Sequence, residues 1–321
     1  MNTPEILHFQ VTERCNLACP GCYLPERAGK GASPELASRR VFEPLARAGV
    51  RQATLTGGEP LVHPKFIEIC AEACRVFDGV QVVTNGLLLD VETFKRLRDA
   101  GVNSIRVSLD GAAPATHDKL RGLDGAFGRT VANLRAITAL AEDERGGVDL
   151  GAIATLSPAN VGEMAAIADL ARDIGLGHLL VQPFHPFAMA YPPKGAPQPR
   201  PEASPEFLAK LDAQVAALGE IKAARPDFID NGFEMLSALR DFHVRPGGPK
   251  QVCGADRFVF VNSLLQVRGC LFCQPLASLA EQTPDEVFSG KPWRDFQAFR
   301  RSCSLCLMGC QFRGKARRLA D

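Results

Sequence analysis

The stretch ILHFQVTERCNLACPGC, residues 6–22, joins a short apolar run to a loop that holds three cysteines. Residues 6–11 mix apolar, β-branched and polar side chains in near-alternation, which predicts a strand. The cysteines follow at positions 15, 19 and 22, before any helical pattern begins. A strand that ends in a thiol-bearing loop is therefore the first unit of this fold, and later units repeat its strand–loop–helix order.

Short β-branched runs alternate with longer amphipathic segments over the first half of the chain. Strands are predicted at residues 6–11, 52–56, 80–84, 104–109, 148–155 and 178–182, and helices at 34–48, 63–77, 91–100, 115–120, 129–142 and 161–174. Strands separated by such helices pair in parallel, because parallel neighbours need a long crossover. Six units favour an α/β fold, a partial (β/α)6 TIM-like barrel, although periodicity alone does not distinguish it from an open sheet.

Polar and glycine-rich segments come directly after four of the predicted strands, at residues 12–15, 57–60, 85–86 and 110–111. In a parallel barrel the carboxyl ends of all strands lie on one face, and sites are built from the loops on that face. We therefore expect these four segments to converge on one site.

The 321-residue chain has the composition of an ordinary globular protein, with 46% hydrophobic residues and 37 Lys and Arg against 36 Asp and Glu. A near-neutral chain has no bulk field to hold nucleic acid or an anionic membrane, so neither is expected as a partner. No signal-peptide pattern and no apolar run near the roughly 20 residues that span a bilayer is visible, which predicts a cytoplasmic protein. In that compartment 11 cysteines indicate metal or redox chemistry rather than disulfides.

Two breaks in the pattern predict three parts of the chain. Proline is dense from residue 183 to 205, and residues 247–249 read Gly-Gly-Pro, so neither segment suits regular structure. We expect a barrel core at 1–185, a proline-rich linker with helical segments at 186–249, and a small C-terminal cysteine-rich α+β module at 250–321. The linker is predicted to hold helices near 205–218 and 232–242, and the module a hairpin, 258–261 with 266–268, and a helix at 293–301.

Cys15, Cys19 and Cys22 stand in C-x-x-x-C-x-x-C spacing. Three thiolates on one short loop can bind three corners of a 4Fe–4S cube, since thiolate is the ligand that such clusters select. One iron then keeps an open coordination position, which is what a reactive metal site needs. The spacing alone also fits a structural zinc knuckle or cysteines in an ordinary loop.

Residues 15–22, CNLACPGC, resemble the signature loop of the radical S-adenosylmethionine (SAM) superfamily, which also follows the first strand. Gly57-Gly58-Glu59-Pro60 resembles the GGE motif of that family, whose backbone holds the SAM amino group. Further segments within residues 6–185 are similar to family motifs: Thr84-Asn85-Gly86, Ser108-Leu109-Asp110-Gly111 and Arg121-Gly122. The resemblance implies a SAM-binding 4Fe–4S cluster on the three cysteines, and SAM contacts from Gly57, Gly58, Glu59, Pro60, Asn85, Ser108, Asp110 and Arg121.

The same resemblance implies the chemistry. SAM is cleaved reductively to a 5′-deoxyadenosyl radical that abstracts a hydrogen atom from the substrate, while the protein supplies position and excludes water. Because Gly57 and Gly58 carry no Cβ, a ligand is expected to approach their backbone closely. One departure is Gly21, where the family often has an aromatic residue near the adenine; Tyr23 is a candidate to cover the cluster instead.

A second group of cysteines lies in the C-terminal module: Cys253, Cys270, Cys273, Cys303, Cys306 and Cys310. Two C-x-x-C pairs among them suit a four-thiolate zinc ribbon. The group also resembles the SPASM and shorter Twitch extensions of radical SAM proteins, which implies at least one auxiliary 4Fe–4S cluster, with Cys253 and Cys270 as the first ligands. Full SPASM modules have one cysteine more, and the glycine usual in the hairpin is absent, with Leu264 and Leu265 in its neighbourhood.

The resemblance implies a radical SAM enzyme that acts on a small metabolite or a peptide, by oxidation, epimerisation or carbon-skeleton modification. A ribosomal-peptide maturase is one alternative, although the chain starts almost at the first strand and no leader-binding domain is expected before it. A zinc-stabilised, non-catalytic binding protein is the alternative from another class. The implied partners are the substrate and an electron donor such as flavodoxin or ferredoxin, with no nucleic acid and no membrane.

Four further side chains carry weaker signals. Cys70 and Cys74 lie four apart on a predicted helix and are expected to pack as small apolar residues. His178 and His185 flank the sixth strand, and an ordinary hydrogen-bonded histidine is favoured there over a substrate contact.

Overall fold

A computed structural model of the chain describes residues 3–22, 31–185, 203–244, 253–301, 303 and 306–307. Six strands run side by side in chain order: β1 (Ile6–Gln10), β2 (Gln52–Thr56), β3 (Gly79–Thr84), β4 (Ser104–Ser108), β5 (Asp149–Leu156) and β6 (His178–Pro183). Each pairs in parallel with the next. The predicted α/β fold with six strand–helix units is confirmed. Within the described residues β1 and β6 do not pair, so the barrel is partial.

The helices lie between the strands and in the C-terminal part of the chain. They are α1 (Pro34–Ala37), α2 (Glu43–Arg47), α3 (Phe66–Cys74), α4 (Val91–Asp99), α5 (Pro114–Arg121), α6 (Ala126–Thr138), α7 (Glu142–Arg145), α8 (Met164–Ile174), α9 (Pro205–Ala224), α10 (Phe233–Val244), α11 (Pro284–Ser289) and α12 (Lys291–Arg300). A π-helical turn, Ser38–Phe42, joins α1 to α2. Helix α9 begins where the Ser204 hydroxyl accepts the N–H of Phe207 at 3.1 Å. None of the helices in these ranges is long and apolar enough to span a bilayer.

The two faces of the parallel sheet differ in polarity. Leu7 and Phe9 on β1 are fully buried, and the Phe9 ring meets Phe42 edge-on at 5.3 Å between centroids. The alternate residues of each strand point to the other face. There the side chains are mostly polar, as in Gln10 and Gln81, and many are only half-buried. The partial barrel therefore packs its apolar face under the helices and keeps a polar inner face.

The β6 edge of the sheet is covered by an extended segment that the sequence did not predict. Leu179 donates its N–H to the carbonyl of Phe228 at 2.8 Å, and Asp230 donates to the carbonyl of Leu179 at 2.9 Å. The Asn231 side chain continues the pairing, since its amide accepts from the Val181 N–H at 2.8 Å and donates to the Val181 carbonyl at 2.6 Å. These bonds satisfy the free backbone groups of an edge strand.

The C-terminal module adds strands to the same sheet. β7 (Phe258–Val261) pairs in parallel with β1, and β8 (Gln266–Arg268) and β9 (Ala277–Ser278) extend the sheet as antiparallel strands. The predicted hairpin is present, but its place beside β1 could not be read from the sequence. The His8 ring on β1 stacks on Phe260 at 4.8 Å, and burial lowers the pKa of His8 to about 4. The predicted divisions after residues 185 and 249 stay predictions.

The β7–β8 turn explains why a glycine is usual in such hairpins. Leu265 has φ 62°, in the left-handed region, and its N–H returns to the carbonyl of Asn262 at 2.9 Å. A three-residue hairpin loop commonly ends in this conformation, which costs a side-chain-bearing residue about 1–2 kcal/mol. Leu265 is nevertheless 6% exposed, so burial of its side chain offsets that strain. The turn also reaches the cysteine loop, where the Ser263 hydroxyl donates to Glu13 at 2.8 Å.

A network of charged side chains links β4, β5 and β6 near their amino-terminal ends. Arg106 and His178 each contact Asp149 at 2.8 Å, and His178 also lies 3.4 Å from Asp230. Burial alone would lower the pKa of His178, but its bonds to Asp149 and Asp230 outweigh that effect and raise the pKa to about 9. His178 is thus a structural cation at the amino-terminal ends of the strands. The sequence analysis favoured an ordinary hydrogen-bonded histidine over a substrate contact at this position.

This network predicts a pH-dependent stability. A histidine whose pKa is raised on folding stabilises the protein fully below pH 6.5, and this contribution disappears as the pH rises through about 9. A tenfold change in a proton-binding constant corresponds to about 1.4 kcal/mol, and solvent screening reduces the total, so we expect a loss of about 2 kcal/mol. The unfolding temperatures of the wild type and of His178→Asn are measured below pH 6.5 and again above about pH 9. The wild type should lose its advantage at high pH, and equal slopes for the two proteins would contradict the assignment.

Candidate active site

The first cysteine loop is held down by the segment that follows β2. Gly58 donates its N–H to the carbonyl of Thr12, and Glu59 donates to the carbonyl of Arg14, both at 2.8 Å. A Cβ atom on Gly58 would lie 2.6 Å from the carbonyl oxygen of Glu13 and closer still to that of Arg14. The missing side chain at Gly58 therefore makes room for the backbone of the loop. The cysteine loop itself makes a close approach at Gly58, and the approach of a ligand to this segment stays a prediction.

Glu59 is buried and its carboxylate is used within the protein. It accepts from the Thr84 hydroxyl at 2.7 Å, from the Asn85 N–H at 2.7 Å and from the Leu61 N–H at 3.1 Å. Burial raises the pKa of Glu59, and these hydrogen bonds act in the opposite direction. The last of them begins the short helical turn Pro60–Val62. Glu59 thus ties the end of β2 to the end of β3, and a contact from it to SAM stays a prediction.

Asn85 links the end of β3 to the cysteine loop. Its side-chain amide donates to the side-chain oxygen of Asn16 at 2.7 Å, while its own side-chain oxygen accepts from the Leu87 N–H at 3.0 Å. Asn16, directly after Cys15, was missed by the sequence analysis. The ends of β1, β2 and β3 converge as the turn positions predicted.

The three thiols of the loop are all half-buried. The Cys15 sulfur accepts from the Leu17 N–H at 3.4 Å, and the Cys19 thiol donates to the carbonyl of Arg121 at 3.5 Å. Burial raises the pKa of Cys15 and of Cys19, and at Cys19 the positive charge of Arg121 opposes it. A nearby cation therefore favours the thiolate that a metal ligand must be.

The three loop thiols lie close enough for the charges of Cys19 and Cys22 to act on Cys15. No three His, Cys, Asp or Glu side chains in the described ranges are arranged to hold a metal ion. Zinc ligands lie about 2.3 Å from a common ion, whereas a four-iron cube takes one thiolate at each of its separate corners. That Cys15, Cys19 and Cys22 hold the cube stays a prediction.

An ion pair lies beside the loop at the end of β4. Asp110 is buried and Arg121 is half-buried, and their side chains lie 2.6 Å apart. Asp110 also accepts from the Thr155 N–H at 2.7 Å. Burial raises the pKa of Asp110, and the charge of Arg121 opposes that rise. Gly122, with φ 64°, lets the chain turn directly against the backbone of Ala18. The pair is therefore held next to the thiol loop.

Arg121 has one group that the protein does not satisfy. Its buried Nε–H finds no hydrogen-bond partner among the described residues. A buried guanidinium nitrogen without an acceptor is costly, and a ligand carboxylate is the acceptor that Arg pairs with best. The site therefore fits a molecule whose carboxylate reaches Arg121 next to Cys19, as the methionine part of SAM would.

Further residues that the sequence analysis missed support this ion pair. The Asn160 side chain donates to the carbonyls of Asp110 at 2.8 Å and Thr155 at 2.9 Å, joining the ends of β4 and β5. His117 accepts from the Asp110 N–H at 3.3 Å. Ser108, one of the predicted SAM contacts, is half-buried at the end of β4. Asn160 lies in a turn and His117 on α5, and neither carries a sequence signal that connects it to a strand end.

Residues 9–142, which include the cysteine loop, the GGE segment and the Asp110–Arg121 pair, match the sequence profile of the Radical SAM superfamily. This match identifies a radical SAM domain within residues 9–142. The chain is therefore an enzyme that uses a 4Fe–4S cluster and SAM. When bound, these cofactors supply the hydrogen-abstracting radical, so the task of the chain is to hold and orient them and to exclude water.

Similar proteins act on different substrates. The radical SAM chain is 27% identical to the AdoMet-dependent heme synthase of Methanosarcina barkeri, over 98% of this chain and 93% of that one. It is 28% identical to the PqqA peptide cyclase of Gluconobacter oxydans, over 90% of this chain and 76% of the relative. The structure of Streptococcus suis SuiB bound to precursor peptide SuiA superposes with a TM-score of 0.69 at 15% identity, covering 95% of this chain and 70% of SuiB. That last likeness shows the fold.

The C-terminal cysteines of the radical SAM chain also come together. The buried Cys253 and Cys273 share an apolar cluster with Phe296, against which Cys270 and Cys303 pack. Burial raises the pKa of Cys253 to about 11, and the nearest charges acting on it include Cys306 and Cys303. Cys310 lies outside the described residues, as do Tyr23 and the proline-rich segment 186–202.

Two cysteines of this group, Cys270 and Cys273, shift each other's pKa in opposite directions. A hydrogen bond from the Cys270 thiol lowers the pKa of Cys273 to about 7, and the same bond raises the pKa of Cys270 well above its usual value. The Cys253 carbonyl is held by Arg300 of α12 at 3.1 Å. Gly269 leaves room for the Phe296 ring, whose Cζ would lie 2.6 Å from a Cβ at this position. The module therefore presents several closely packed thiols.

His185 joins this module to the open side of the barrel. Its Nε2 accepts the N–H of Leu307, directly after Cys306, at 3.1 Å. The rings of Phe242 and Phe272 lie 5.0 and 5.2 Å from it. Because β7 pairs with β1, the C-terminal segment spans from β1 to the end of β6, where the barrel does not close. His185 has a structural hydrogen bond, as the favoured interpretation predicted.

The Arg121 site predicts a separation of affinity from stability. Arg121→Lys keeps a cation for Asp110 but loses the planar fork, so SAM should bind about tenfold more weakly with little change in unfolding temperature. Arg121→Ala leaves a buried carboxylate unpaired, which should also destabilise the protein by about 3–5 kcal/mol. SAM dissociation constants and thermal unfolding of the reconstituted enzyme measure both effects. Arg39→Ala, at an exposed surface pair, is the control, and equal SAM affinity in all three variants would refute the assignment.

Proposed function

We propose that this radical SAM enzyme modifies a peptide, with its SAM-binding cluster on Cys15, Cys19 and Cys22. The cluster and SAM part of this proposal rests on the placement of the loop thiols beside the Asp110–Arg121 pair. Cys19 and Arg121 are in direct contact, at 3.5 Å. A ligand that reaches the open corner of a cluster on this loop would meet the unsatisfied Nε–H of Arg121.

The remaining SAM contacts follow from the loops around this point. The N–H groups of Gly58 and Glu59 already bind the cysteine loop. The carbonyl groups of Gly57 and Gly58 are therefore the backbone groups that we assign to the SAM amino group. Pro60 is buried and fixes the turn after them. Asn85 and Ser108 complete the rim at the ends of β3 and β4. All of these groups stand on strand ends, which is the rigid support that a positioned cofactor requires.

We assign the C-terminal cysteines to at least one auxiliary 4Fe–4S cluster in a SPASM- or Twitch-type module. Cys253, Cys270, Cys273, Cys303 and Cys306 are brought together by β7, α12 and the His185 contact, and Cys310 remains a candidate ligand. The position of this module across the open side of the barrel suits a relay of electrons from a donor such as flavodoxin or ferredoxin.

The peptide assignment is supported by the match to a PqqA peptide cyclase over 90% of the chain. A small-molecule substrate is the second candidate, and it is favoured by the match to a heme synthase over 98% of the chain. The two classes differ in how they would use the polar inner face, but both need a hydrogen atom placed beside the SAM site.

The test is substrate-stimulated formation of 5′-deoxyadenosine by the anaerobically reconstituted enzyme with dithionite. Candidate peptides encoded beside the gene and a tetrapyrrole precursor of heme are added in separate reactions. A peptide that raises the rate and emerges with changed mass supports the proposal. Stimulation by the tetrapyrrole alone would replace it by the second candidate. A zinc-loaded, colourless protein that forms no 5′-deoxyadenosine would refute both.

A further inference from the structure

Arg268, the last residue of β8, is an arginine whose charge the protein does not neutralise. The side chain is half-buried, and its buried Nε–H has no hydrogen-bond partner among the described residues. Within the same ranges no Asp or Glu side chain forms an ion pair with its guanidinium group. A charge that is partly removed from water is costly unless an anion or an acceptor faces it. The position of Arg268 therefore calls for an anionic partner.

The charge of Arg268 acts on the thiols of the C-terminal module. β8 ends at Arg268, two positions before Cys270. The hydrogen bond from Cys270 is the main influence that lowers the pKa of Cys273, and the positive charge of Arg268 acts in the same direction. Cys273 is buried with Cys253, and Cys303 packs against the same cluster. The guanidinium group therefore lies beside the thiols to which we assign an auxiliary cluster.

Arg300 on α12 is a second cation near these thiols, and its donors are used within the protein. It donates to the carbonyl of Cys253 at 3.1 Å and to the side-chain oxygen of Gln297 at 2.5 Å. Its guanidinium group also lies 3.4 Å from the carboxylate of Asp256. Arg268 has no such carboxylate in the part of the chain that the structure describes. Its charge is therefore available to an anion that the polypeptide does not supply.

A 4Fe–4S cluster is an anion that suits this position. Thiolate ligands make the cluster and its ligands negatively charged, and hydrogen bonds to the sulfur atoms are known to set the potential of such clusters. Reduction adds one more negative charge. A cation and a hydrogen-bond donor beside the cluster therefore stabilise the reduced form more than the oxidised form. The expected result is a higher reduction potential.

We propose that Arg268 is a counter-ion and hydrogen-bond donor of the auxiliary cluster and that it raises the reduction potential of this cluster. The inference rests on the proposed function, which assigns the C-terminal cysteines to such a cluster. Arg268 binds no iron in this assignment, and it acts through the charge and the Nε–H that it places beside the thiols. A raised potential makes the cluster easier to reduce, as an electron relay that is loaded by a protein donor requires.

The experiment measures a potential rather than turnover. The reconstituted holoenzyme is reduced stepwise under anaerobic conditions, and electron paramagnetic resonance follows the reduced clusters, of which the auxiliary one gives the signal that SAM does not alter. Arg268→Gln should lower the midpoint potential of this signal by about 59 mV or more, which corresponds to a tenfold change for a one-electron couple. The SAM-sensitive signal should keep its potential. Arg257→Gln removes the same charge from a surface pair with Glu5 and should leave both potentials unchanged.

Arg268→Lys separates the charge from the Nε–H. It keeps a cation and loses the Nε–H, so its auxiliary potential should lie between those of the wild type and of Arg268→Gln. Equal potentials in the lysine and glutamine variants would exclude the counter-ion role, and a wild-type potential in an iron-replete Arg268→Gln protein would overturn the whole inference.

Iron content is measured on every variant. If Arg268→Gln loses auxiliary iron, Arg268→Lys carries the test, and an unchanged potential in that variant would then overturn the inference. A wild type whose C-terminal module holds zinc or no metal would instead refute the proposed auxiliary cluster itself.

Discussion

Replacing Cys19 by alanine is expected to abolish SAM cleavage. With three thiolates on the loop, the cube has one open corner; with two, a second corner is unligated and the cluster is lost or displaced. The Cys19 sulfur also lies beside Arg121, so its removal changes the corner nearest to the ion pair. The 5′-deoxyadenosine formed with dithionite should fall to the background of the cluster-free protein. Iron content should fall by about four per chain, the content of one 4Fe–4S cluster.

The same substitution at a core cysteine is the matched control. Cys70 is fully buried on α3, and burial raises the pKa of its thiol well above the usual value, so it behaves as a small apolar residue. Cys70→Ala should cost about 1 kcal/mol of stability and leave iron and SAM cleavage intact. Normal SAM cleavage by Cys19→Ala would remove the basis of the cluster assignment.

Replacing Cys270 by alanine should remove the iron of the C-terminal cysteine group without affecting the cluster on the first cysteine loop. Cys270 is hydrogen-bonded to Cys273 and packs with Cys253 on the C-terminal module, apart from the SAM loop. Auxiliary iron should therefore be lost while the first cluster remains. We expect total iron to fall by about four per chain, the content of one 4Fe–4S cluster. The change in the cluster's electron paramagnetic resonance spectrum on SAM addition should persist.

Substrate turnover is the second readout of Cys270→Ala. SAM should still be cleaved in the absence of substrate, but modification of the substrate should stop if the auxiliary cluster relays electrons. Cys74→Ala, a half-buried core thiol on α3, is the control for the chemical change. Unchanged iron in Cys270→Ala, with zinc lost instead, would show that the module is a zinc ribbon.

The contact partners of two site residues could not be predicted from the sequence. Gly58 was interpreted by what it lacks, a Cβ, and that property was right, but its neighbour is the backbone of Glu13 and Arg14. Glu59 was interpreted as an acceptor for a ligand, whereas its oxygens are used by Thr84, Asn85 and Leu61. In each case the residue type indicated the kind of contact, and only the fold showed the partner.

The sequence by itself determined the parts of this protein that are local along the chain. The three loop thiols lie within eight positions, and each strand and helix has its own hydrophobic period. These local patterns predicted the six strand–helix units, and together with the family resemblance they predicted the partial barrel and the cluster loop. Only the tertiary structure decided that β7 lies beside β1 and that Leu307 binds His185. Those contacts join residues more than a hundred positions apart. Packing and hydrogen-bond geometry select them, and neither leaves a periodic trace in the sequence.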